Sequence, residues 1–436
     1  MSICKGLNLR IIAALIICAV IILPSCSQEQ RGLPDITNFT PRMRHTTEFF
    51  GTVSILRVYD DFSRGENVLR YDRAWDRTRE ILRELDHIFS LNIETSETSR
   101  FNALNYGETM EVSHHMAQVI RLSGGIHEKT GGLYDPTVFP LVDLWGFTPR
   151  FTGRFVPVMP YDRPEGRMVL PAPEYIEAFV RLVDFGGVIL TGDRDSGYFL
   201  TKKIPSVTIN GVTYQAKLDF GGIVKGYAAD LVRDMMVEEG ILFGYFSCGG
   251  SSIAFLKGMD RVCPQDEIFE FGLRLRKPRP GQNPGSAFAE VSVRGQSIST
   301  SGDYDRAFFL DGVRYSHTFD PRSGHPVNMP VEGIQKGIAK ATVISVNRPY
   351  AAASTEGLST AFCVMSPSEA ISFINNSLGD YEVILVLFKD GHDYFEVITN
   401  IPSHRITILD PAYVMASRID DYGNVEYVGS LFSYGL

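Results

Sequence analysis

The amino-acid sequence predicts a mixed α+β fold built from helices and antiparallel strands. Clusters of short strand-like segments are separated by long amphipathic helices, whereas a parallel sheet would need strands and helices to alternate regularly. Asp-Gly pairs at 311–312 and 390–391 stand between strand-like runs, as in tight hairpin turns. No repeat with a period of about 20 to 50 residues is visible, which argues against a solenoid. A doubly wound parallel sheet is the weaker alternative.

Hydrophobic periodicity predicts the elements of the first half of the chain. Residues 52–59 alternate apolar and polar side chains, as a half-buried strand does. Apolar residues then recur at helical spacing on a polar background, which predicts a helix over residues 72–90. A second amphipathic helix is predicted over residues 112–129, ended by a Gly-Gly pair, and a third begins just after Gly222.

The second half of the chain is richer in strands. The predicted strands cover residues 242–247, 268–275, 288–293, 307–310, 342–346, 383–388 and 395–398, and one further helix covers about 349–365. The segments 147–171 and 258–285 are rich in Pro, Arg and Gly and show little period, so we interpret both as surface insertions. Residues 401–436 are interpreted as a C-terminal extension of unknown role.

The N-terminus has the pattern of a lipoprotein signal peptide over residues 1–25. Two basic residues precede an apolar run that ends at Leu23 and is too short for a membrane-spanning helix. Leu23 and Ser25 precede Cys26 as in a lipobox, which predicts Cys26 as the lipidated first residue of the mature protein. An ordinary signal peptide or an uncleaved anchor is the alternative, and each version implies export.

The residues after Cys26 are polar and contain Gly and Pro. We therefore predict a flexible tether over residues 26–45 and a globular domain over residues 46–400. This boundary places the functional motifs inside the domain.

The formal net charge of -9 argues against a nucleic-acid partner, because a phosphate backbone requires a basic surface. Anionic lipids would also repel an acidic surface, so we expect membrane attachment through acyl chains on Cys26. Beyond Cys26 only Cys248, Cys263 and Cys363 remain, too scattered for a disulfide framework or a zinc site. A buried, inert thiol is the expected state of Cys248.

Several further segments combine glycine turns with hydroxyl, carboxylate or imidazole groups. They are TGGLYDPT at 130–137, LDFGGIVKGY at 218–227, TSGDY at 300–304, HTFDP at 317–321 and EGLST at 356–360. Together they resemble the motifs of the ApbE family of flavin transferases, from about residue 50 to about residue 399. The resemblance implies an ApbE-type, T-fold-like architecture. It also implies a reaction that moves the FMN half of FAD onto a protein Ser or Thr hydroxyl, with Mg²⁺ and release of AMP.

A metal site is implied at Glu356, Ser359 and Thr360. The resemblance matches them to the family's Asp-x-x-Ser-Thr metal motif, with Glu356 in place of the Asp. Their spacings of three and four put them on one helix face, and hard oxygen donors suit Mg²⁺. The alternative is that the trio forms only the first turn of a helix, with Glu356 as its cap.

A phosphate-binding turn is predicted before the third helix. Glycines let the backbone approach a phosphate, the helix N-terminus attracts an anion, and Lys225 adds a point charge. By resemblance, Gly222 lends its main-chain carbonyl to the metal, and Asp219 and Lys225 contact the FAD. A simple tight turn is the alternative.

His317 is the candidate general base, since the ordinary pKa of histidine suits proton removal near neutral pH. It matches the His of the family's His-x-x-Asp-Pro motif, in which Asp320 orients the ring or shapes the turn, and Phe319 of the same segment is assigned to cofactor binding. The alternative is that His317 only caps a turn, and Asp303 has the same alternative role in its own turn.

Other flavin contacts follow from the resemblance alone. Leu133, Tyr134 and Asp135 correspond to the family's flavin-contacting Ala-Leu-Asp, and Phe50 stands where a Met commonly precedes Gly-Thr. Asn92 stands where many members carry a Tyr. Because Asn cannot stack on a ring, we expect FAD binding with a different geometry.

The resemblance therefore implies an exported enzyme, anchored to a membrane on the periplasmic side, with FAD as substrate and Mg²⁺ as cofactor. Family analogy points to exported flavin subunits of Rnf or sodium-pumping quinone reductase type complexes as acceptors. Two alternatives remain open. One is an FAD pyrophosphatase, in which water replaces the acceptor hydroxyl, and the other is a non-catalytic FAD-binding lipoprotein in which Glu356 holds no metal.

Overall fold

The computed structural model describes residues 38–148, 170–256, 271–278 and 286–432, apart from positions 294, 305 and 347. The predicted lipidation site Cys26, the signal peptide and most of the predicted insertions lie outside the described residues. Within them the prediction of a mixed α+β fold is confirmed, because long helices pack on sheets whose strands are mostly antiparallel.

One large sheet organises the described part of the chain. In spatial order its strands are β1 (Thr40–Thr46), β2 (Ser54–Asp60), β8 (Gly244–Cys248), β9 (Ser252–Phe255), β12 (Ser297–Gly302), β15 (Lys336–Ser345), β16 (Tyr381–Lys389), β17 (Phe395–Thr399) and β19 (Tyr413–Met415). All neighbours in this sheet are antiparallel except β17 and β19.

The remaining strands form small antiparallel sheets around it. They are β3 (Thr109–Val112) with β5 (Gly197–Lys202) and β4 (Val188–Asp193), β6 (Val207–Ile209) with β7 (Val212–Tyr214), β10 (Phe271–Arg276) with β11 (Ala287–Val293) and β18 (Ile406–Ile408), β13 (Ala307–Leu310) with β14 (Val313–Ser316), and β20 (Ser417–Ile419) with β21 (Val425–Tyr427). The β13–β14 turn contains Asp311 and Gly312, both at positive φ, as the Asp-Gly signal predicts.

The helices pack on the large sheet, on the small sheets and on one another. They are α1 (Gly65–Phe89), α2 (Glu97–Ala103), α3 (His114–Lys129), α4 (Phe139–Leu144), α5 (Pro173–Val180), α6 (Val224–Glu238), α7 (Ala351–Val364) and α8 (Pro367–Asn376). Helix α7 packs on β12 and β15, α6 packs on β8 and β9, and the two helices contact each other. This crossing of α6 and α7 carries the candidate site.

The hydrophobic core has two parts, one on each face of the large sheet. The larger part fills the space between the sheet and the helices. The smaller part lies between the opposite face and the β10-β11-β18 sheet, and includes Phe288, Val291, Ile344 and Tyr413. Because both faces are covered, β15 is buried along almost its whole length and does not show the alternation of a half-exposed strand.

The folded chain extends further at both ends than the predicted boundaries. Strand β1 pairs with β2 from Thr40 to Thr46, so the end of the predicted tether over residues 26–45 belongs to the sheet. The predicted extension over residues 401–436 contributes β18 to β11 and β19 to β17. These strands are held by pairing with other strands, which local periodicity does not reveal.

Helix α7 begins at Ala351, so Glu356 lies beyond its first turn and its side chain is buried. The alternative in which Glu356 is a cap at the start of the helix is therefore wrong. Within the described residues, none of the helices has both the length and the apolar composition required for a membrane span.

Candidate functional site

The site is built where α6 and α7 cross at short distance. Gly226, in the first turn of α6, makes this approach possible, since a Cβ atom there would lie 2.2 Å from the Ala352 carbonyl oxygen. At its first turn, each helix donates backbone N–H groups to a carboxylate on the other helix. Glu356 accepts a 2.6 Å hydrogen bond from the Gly226 N–H, and Asp230 accepts bonds of 3.1 and 2.9 Å from the N–H groups of Ala352 and Ala353.

Lys225 adds a positive charge at the crossing of the two helices. Its ammonium forms an ion pair with Glu356 and donates to the Gly221 carbonyl. Burial acts to lower the pKa of Lys225, but the adjacent carboxylate of Glu356 outweighs it and raises that pKa above its ordinary value. Lys225 is therefore protonated at neutral pH, at the start of the helix where the glycine turn ends.

A cluster of hydroxyl groups lies beside Glu356. The hydroxyls of Ser359 and Thr360 donate to the Glu356 carbonyl oxygen at 2.9 and 3.1 Å, and the Ser301 hydroxyl lies 2.8 and 3.2 Å from those of Ser359 and Thr360. A Cβ atom on Gly222 would lie 3.4 Å from the Thr360 hydroxyl oxygen. The structure therefore brings together all four residues assigned to the metal, Gly222, Glu356, Ser359 and Thr360.

The turn after α3 lies against the glycine turn. A Cβ atom on Gly222 would lie 3.3 Å from the ring of Tyr134, and the Asp219 N–H donates to the Pro136 carbonyl at 2.9 Å. Burial raises the pKa of the Tyr134 hydroxyl, which lies close to Ser123 but forms no well-aligned hydrogen bond with it. The buried ring of Tyr134 thus packs against Gly222, and Leu133 next to it is half-buried.

Asp135 points into the protein in this structure. Its carboxylate accepts from the Thr137 N–H at 2.7 Å and from the Phe185 N–H at 3.3 Å, and it lies 3.5 Å from His127. Burial raises the pKa of Asp135, opposed by these hydrogen bonds. Its observed contacts shape the Asp-Pro-Thr turn.

Asp219 holds the glycine turn and is acted on by the charge of Arg306, which lies just before β13. Its carboxylate accepts from the Gly221 N–H at 2.7 Å, and burial raises its pKa against the charges of Arg306 and Lys225. Arg306 is exposed, and its positive charge acts on the Asp219 carboxylate. The guanidinium of Arg306 also donates to the Phe147 carbonyl at 2.8 Å.

His317 is held by the backbone of Arg306. The His317 N–H and its ring atom Nδ1 lie 3.0 and 3.1 Å from the Arg306 carbonyl oxygen. A carbonyl oxygen can only accept, so Nδ1 carries the proton and Nε2 carries the basic lone pair. This is the tautomer that a general base acting through Nε2 requires.

Asp320 does not orient His317. Its carboxylate binds the guanidinium of Arg322 through two oxygens, at 2.9 and 2.7 Å, and accepts from the Arg322 N–H at 2.8 Å. Of the two predicted roles for Asp320, the structure shows the shaping of the turn. Phe319 is buried with its ring centroid 6.1 Å from that of Trp145 and 5.9 Å from that of Phe147.

Phe50 lies in the turn between β1 and β2, and Asn92 lies in the turn after α1. Phe50 has a positive φ of 55°, and its N–H donates to Asp86 at 3.1 Å. Asn92 is exposed, and its N–H donates to the Ser90 hydroxyl at 3.3 Å. These hydrogen bonds fix the two turns. The flavin contacts of Phe50 and Asn92 stay predictions.

Cys248 has the expected buried state. Its thiol lies 3.6 Å from the Ser54 hydroxyl, and burial raises its pKa to about 11. A thiol with that pKa is protonated at neutral pH and is a poor nucleophile.

Three residues of the site were not singled out from the sequence. Ser301 lies inside the TSGDY segment, and Arg306 follows two residues after it. A cation close to a glycine turn is the signal that could have identified Arg306. Asn102 lies in α2 and bonds to the backbone of Leu218, next to Asp219. No local pattern indicates this last contact, since 116 residues separate its partners.

The structure thus holds a partly buried ammonium–carboxylate pair, a hydroxyl cluster and an oriented histidine on an α+β scaffold, which are groups of the kinds that enzyme sites use. The ApbE family model matches residues 50–385, and the chain therefore belongs to the ApbE family.

Curated relatives and solved structures agree with this assignment. The chain is 28% identical over 309 residues to the FAD:protein FMN transferase of Escherichia coli, covering 71% of this chain and 75% of that protein. It is 30% identical over 255 residues to the FAD:protein FMN transferase of Vibrio cholerae, covering 58% and 65%.

The fold is similar to two solved structures. The flavin transferase ApbE of Vibrio cholerae superposes with a TM-score of 0.60 at 23% identity, covering 83% of this chain and 97% of that one. The ApbE protein of Thermotoga maritima gives 0.59 at 23% identity, covering 80% and 94%. These similarities establish the fold.

Proposed function

We propose that the protein transfers the FMN moiety of FAD to a Ser or Thr hydroxyl of an exported acceptor protein. The acceptor oxygen forms a bond to the FMN phosphorus, the pyrophosphate bond to the AMP half breaks, and AMP leaves. The proton of the acceptor hydroxyl passes to His317. Membership of the ApbE family and similarity to FAD:protein FMN transferases support this reaction.

The observation that carries the proposal is the fixed orientation of His317. Because Nδ1 donates to the Arg306 carbonyl oxygen, Nε2 is the nitrogen that accepts a proton. The carbonyl that holds the His317 ring belongs to Arg306, and the positive charge of Arg306 lowers the pKa of Asp219 in the glycine turn against the effect of burial. A base and a phosphate-binding turn at one site are what FMN transfer to a hydroxyl needs.

The turn before α6 supplies the phosphate contacts. Gly221 and Gly222 leave the backbone accessible, and α6 presents the N-terminal end of its dipole there. Lys225 adds a positive charge that Glu356 keeps protonated. Together they favour binding of the pyrophosphate of FAD and offset charge that develops on it during transfer.

The residues present fit a magnesium ion. Glu356, Thr360 and Gly222 offer hard oxygen donors on neighbouring segments, since the Thr360 hydroxyl donates to the Glu356 main-chain carbonyl and a Cβ atom on Gly222 would lie 3.4 Å from that hydroxyl. Mg²⁺ commonly takes one or two carboxylates with substrate phosphates and water. Among the described residues, no group of three or more His, Cys, Asp and Glu side chains forms an alternative site. When bound there, the ion would supply charge neutralisation on the phosphates. Ser359 and Ser301 add hydroxyls to the same cluster.

Incubation of the chain with FAD, Mg²⁺ and an acceptor domain tests the reaction. We expect an acceptor whose mass increases by one FMN, with AMP in equal amount. Free FMN and AMP without the adduct would favour the pyrophosphatase alternative, in which water takes the place of the hydroxyl. Bound FAD that stays intact would favour a binding protein without catalysis.

The acceptor and the location belong to the same proposal. We place the protein on the periplasmic side of a membrane, anchored through acylated Cys26, where flavin subunits of Rnf or sodium-pumping quinone reductase type are its acceptors. Stable anchoring requires more than one acyl chain, which a lipobox cysteine carries. Cys26→Ser should release the protein from membranes without loss of flavin transfer in vitro. A variant that still pellets with membranes in high salt would contradict the anchor.

A further inference from the structure

The segment at 218–222 carries Asp219 and Gly222 without the hydrogen-bond ladder of a strand. Leu218 is completely buried, and buried backbone groups need partners. Both of its backbone groups are satisfied by one side chain. The Leu218 N–H donates to Asn102 Oδ1 at 2.6 Å, and Asn102 Nδ2 donates to the Leu218 carbonyl at 3.0 Å. A carboxamide can do this because it carries a donor and an acceptor in one plane.

Asn102 is itself held in place by Lys202. Helix α2 ends next to Asn102, and the Lys202 ammonium donates to the carbonyls of Asn102 at 3.2 Å and Leu104 at 2.7 Å. The same ammonium lies 5.3 Å from the centre of the Phe101 ring. Lys202 has no exposed surface, so this contact fixes the end of α2 from within the protein.

Fixing Leu218 also fixes the residues that follow it. The Asp219 N–H is bound to Pro136, and the Asp219 carboxylate accepts from Gly221. The Phe220 carbonyl accepts from the N–H groups that begin α6. These hydrogen bonds follow one another along the chain, from Leu218 through Asp219 and Phe220 to α6. The first of them is made by the carboxamide of Asn102, which therefore fixes the residue at which the turn begins.

We propose that Asn102 is a positioning residue that holds the turn at 218–222 in its FAD-binding conformation. It acts through the Leu218 backbone and not by contact with the substrate. This inference rests on the proposed function, because it assigns the turn to FAD.

The chain contains a matched control for this contact. Asn375 on α8 makes the same pair of bonds to one residue, with its Nδ2 donating to the Val425 carbonyl at 3.1 Å and its Oδ1 accepting from the Val425 N–H at 2.8 Å. Val425 belongs to β21, which lies in the C-terminal part of the chain and carries none of the site residues. Asn375→Ala and Asn102→Ala therefore remove the same pair of side-chain-to-backbone hydrogen bonds, one at β21 and the other at the glycine turn.

The test compares the dissociation constant for FAD, measured from flavin fluorescence without acceptor, in the wild type and the two variants. We expect Asn102→Ala to weaken FAD binding about tenfold and Asn375→Ala to leave it unchanged, while both lower the melting temperature. Asn102→Asp serves if the alanine variant does not fold. It keeps the size and the acceptor but sets an oxygen against the Leu218 carbonyl, so we expect weaker FAD binding from it as well.

The outcomes separate this inference from the function on which it rests. Equal FAD affinity in the wild type and in a folded Asn102 variant overturns the inference and leaves the function standing. An equal loss of affinity in the Asn102 and Asn375 variants also overturns it, because the effect would then be general destabilisation. A wild type that binds no FAD overturns both.

Discussion

The carboxylate of Glu356 accepts a hydrogen bond of 2.6 Å from the N–H of Gly226, across the crossing of α6 and α7. The same carboxylate pairs with the ammonium of Lys225. Glu356 therefore joins a helix start, a partly buried cation and a hydroxyl cluster, although it lies beyond the first turn of its own helix. Its replacement is expected to affect both stability and catalysis.

We expect Glu356→Gln to lower metal-dependent turnover by about two orders of magnitude, the usual effect of losing one charged group that stabilises a transition state. The amide keeps the shape of the side chain but leaves Lys225 without its counter-charge. Turnover is measured against Mg²⁺ concentration at a temperature at which both forms are folded. Superimposable curves would remove Glu356 from the site and favour the non-catalytic alternative.

Glu396→Gln is the control for that experiment. Glu396 is equally buried and accepts from the N–H groups of Ser430 and Leu431 at 2.6 and 3.1 Å, in the C-terminal part of the chain. We expect this variant to lose stability and keep its turnover.

We expect His317→Ala to lower turnover by roughly two to four orders of magnitude, as the loss of a general base does. FAD affinity should stay near that of the wild type, because the glycine turn and Lys225 remain. The covalent flavin formed per minute and the dissociation constant for FAD are measured in parallel. His325→Ala is the control, since that histidine lies in the same loop region with its ring centroid 5.8 Å from that of Trp145. Normal turnover in His317→Ala would assign the proton transfer to another group.

We expect Gly226→Ala and Gly125→Ala to change stability in opposite directions. A Cβ atom on Gly226 would overlap the Ala352 carbonyl, so the two helices would have to separate at a cost of about 1 to 3 kcal/mol. A Cβ atom on Gly125, in α3, would meet no neighbouring element within 4 Å, and alanine there should add up to about 1 kcal/mol of stability. Urea denaturation of both variants measures the difference. Two changes of the same sign would contradict the close crossing.

We expect Asp230 to make stability depend on pH. Burial raises the pKa of its carboxyl from 3.8 to about 6, in spite of Arg233 and the two N–H groups at the start of α7. A carboxyl with a raised pKa contributes stability that is fully present below pH 3.8 and is lost as the pH rises through about 6.

The test follows the free energy of unfolding of the wild type and of Asp230→Asn between pH 7 and pH 4. Relative to the variant, the wild type should gain about 2 to 3 kcal/mol as the pH falls. Parallel curves for the two proteins would show that Asp230 titrates normally.

Local patterns in the sequence were sufficient for much of the fold. Helical spacing located α3 and α6 to within a few residues, and the Asp-Gly signal located the β13–β14 hairpin. These elements depend on side-chain periodicity and turn chemistry, which are local properties of the chain. The glycine turn and the hydroxyl segments were also visible, because their residue types are unusual at that spacing.

Only the tertiary structure decided how those segments meet. It showed Glu356 inside α7 and paired with Lys225, Asp320 turned towards Arg322, and Asn102 bonded to Leu218. It also placed β1 and β19 in the large sheet, although their sequences read as a tether and an extension. Such contacts join residues far apart in the chain, and their energy comes from burial and long-range pairing, which leave no signature in the neighbouring residues. The sequence thus showed the glycine turn, the hydroxyl segments and His317, whereas the packing of α6 on α7 placed Glu356 beside Lys225 and long-range contacts decided the partners of Asp320 and Asn102.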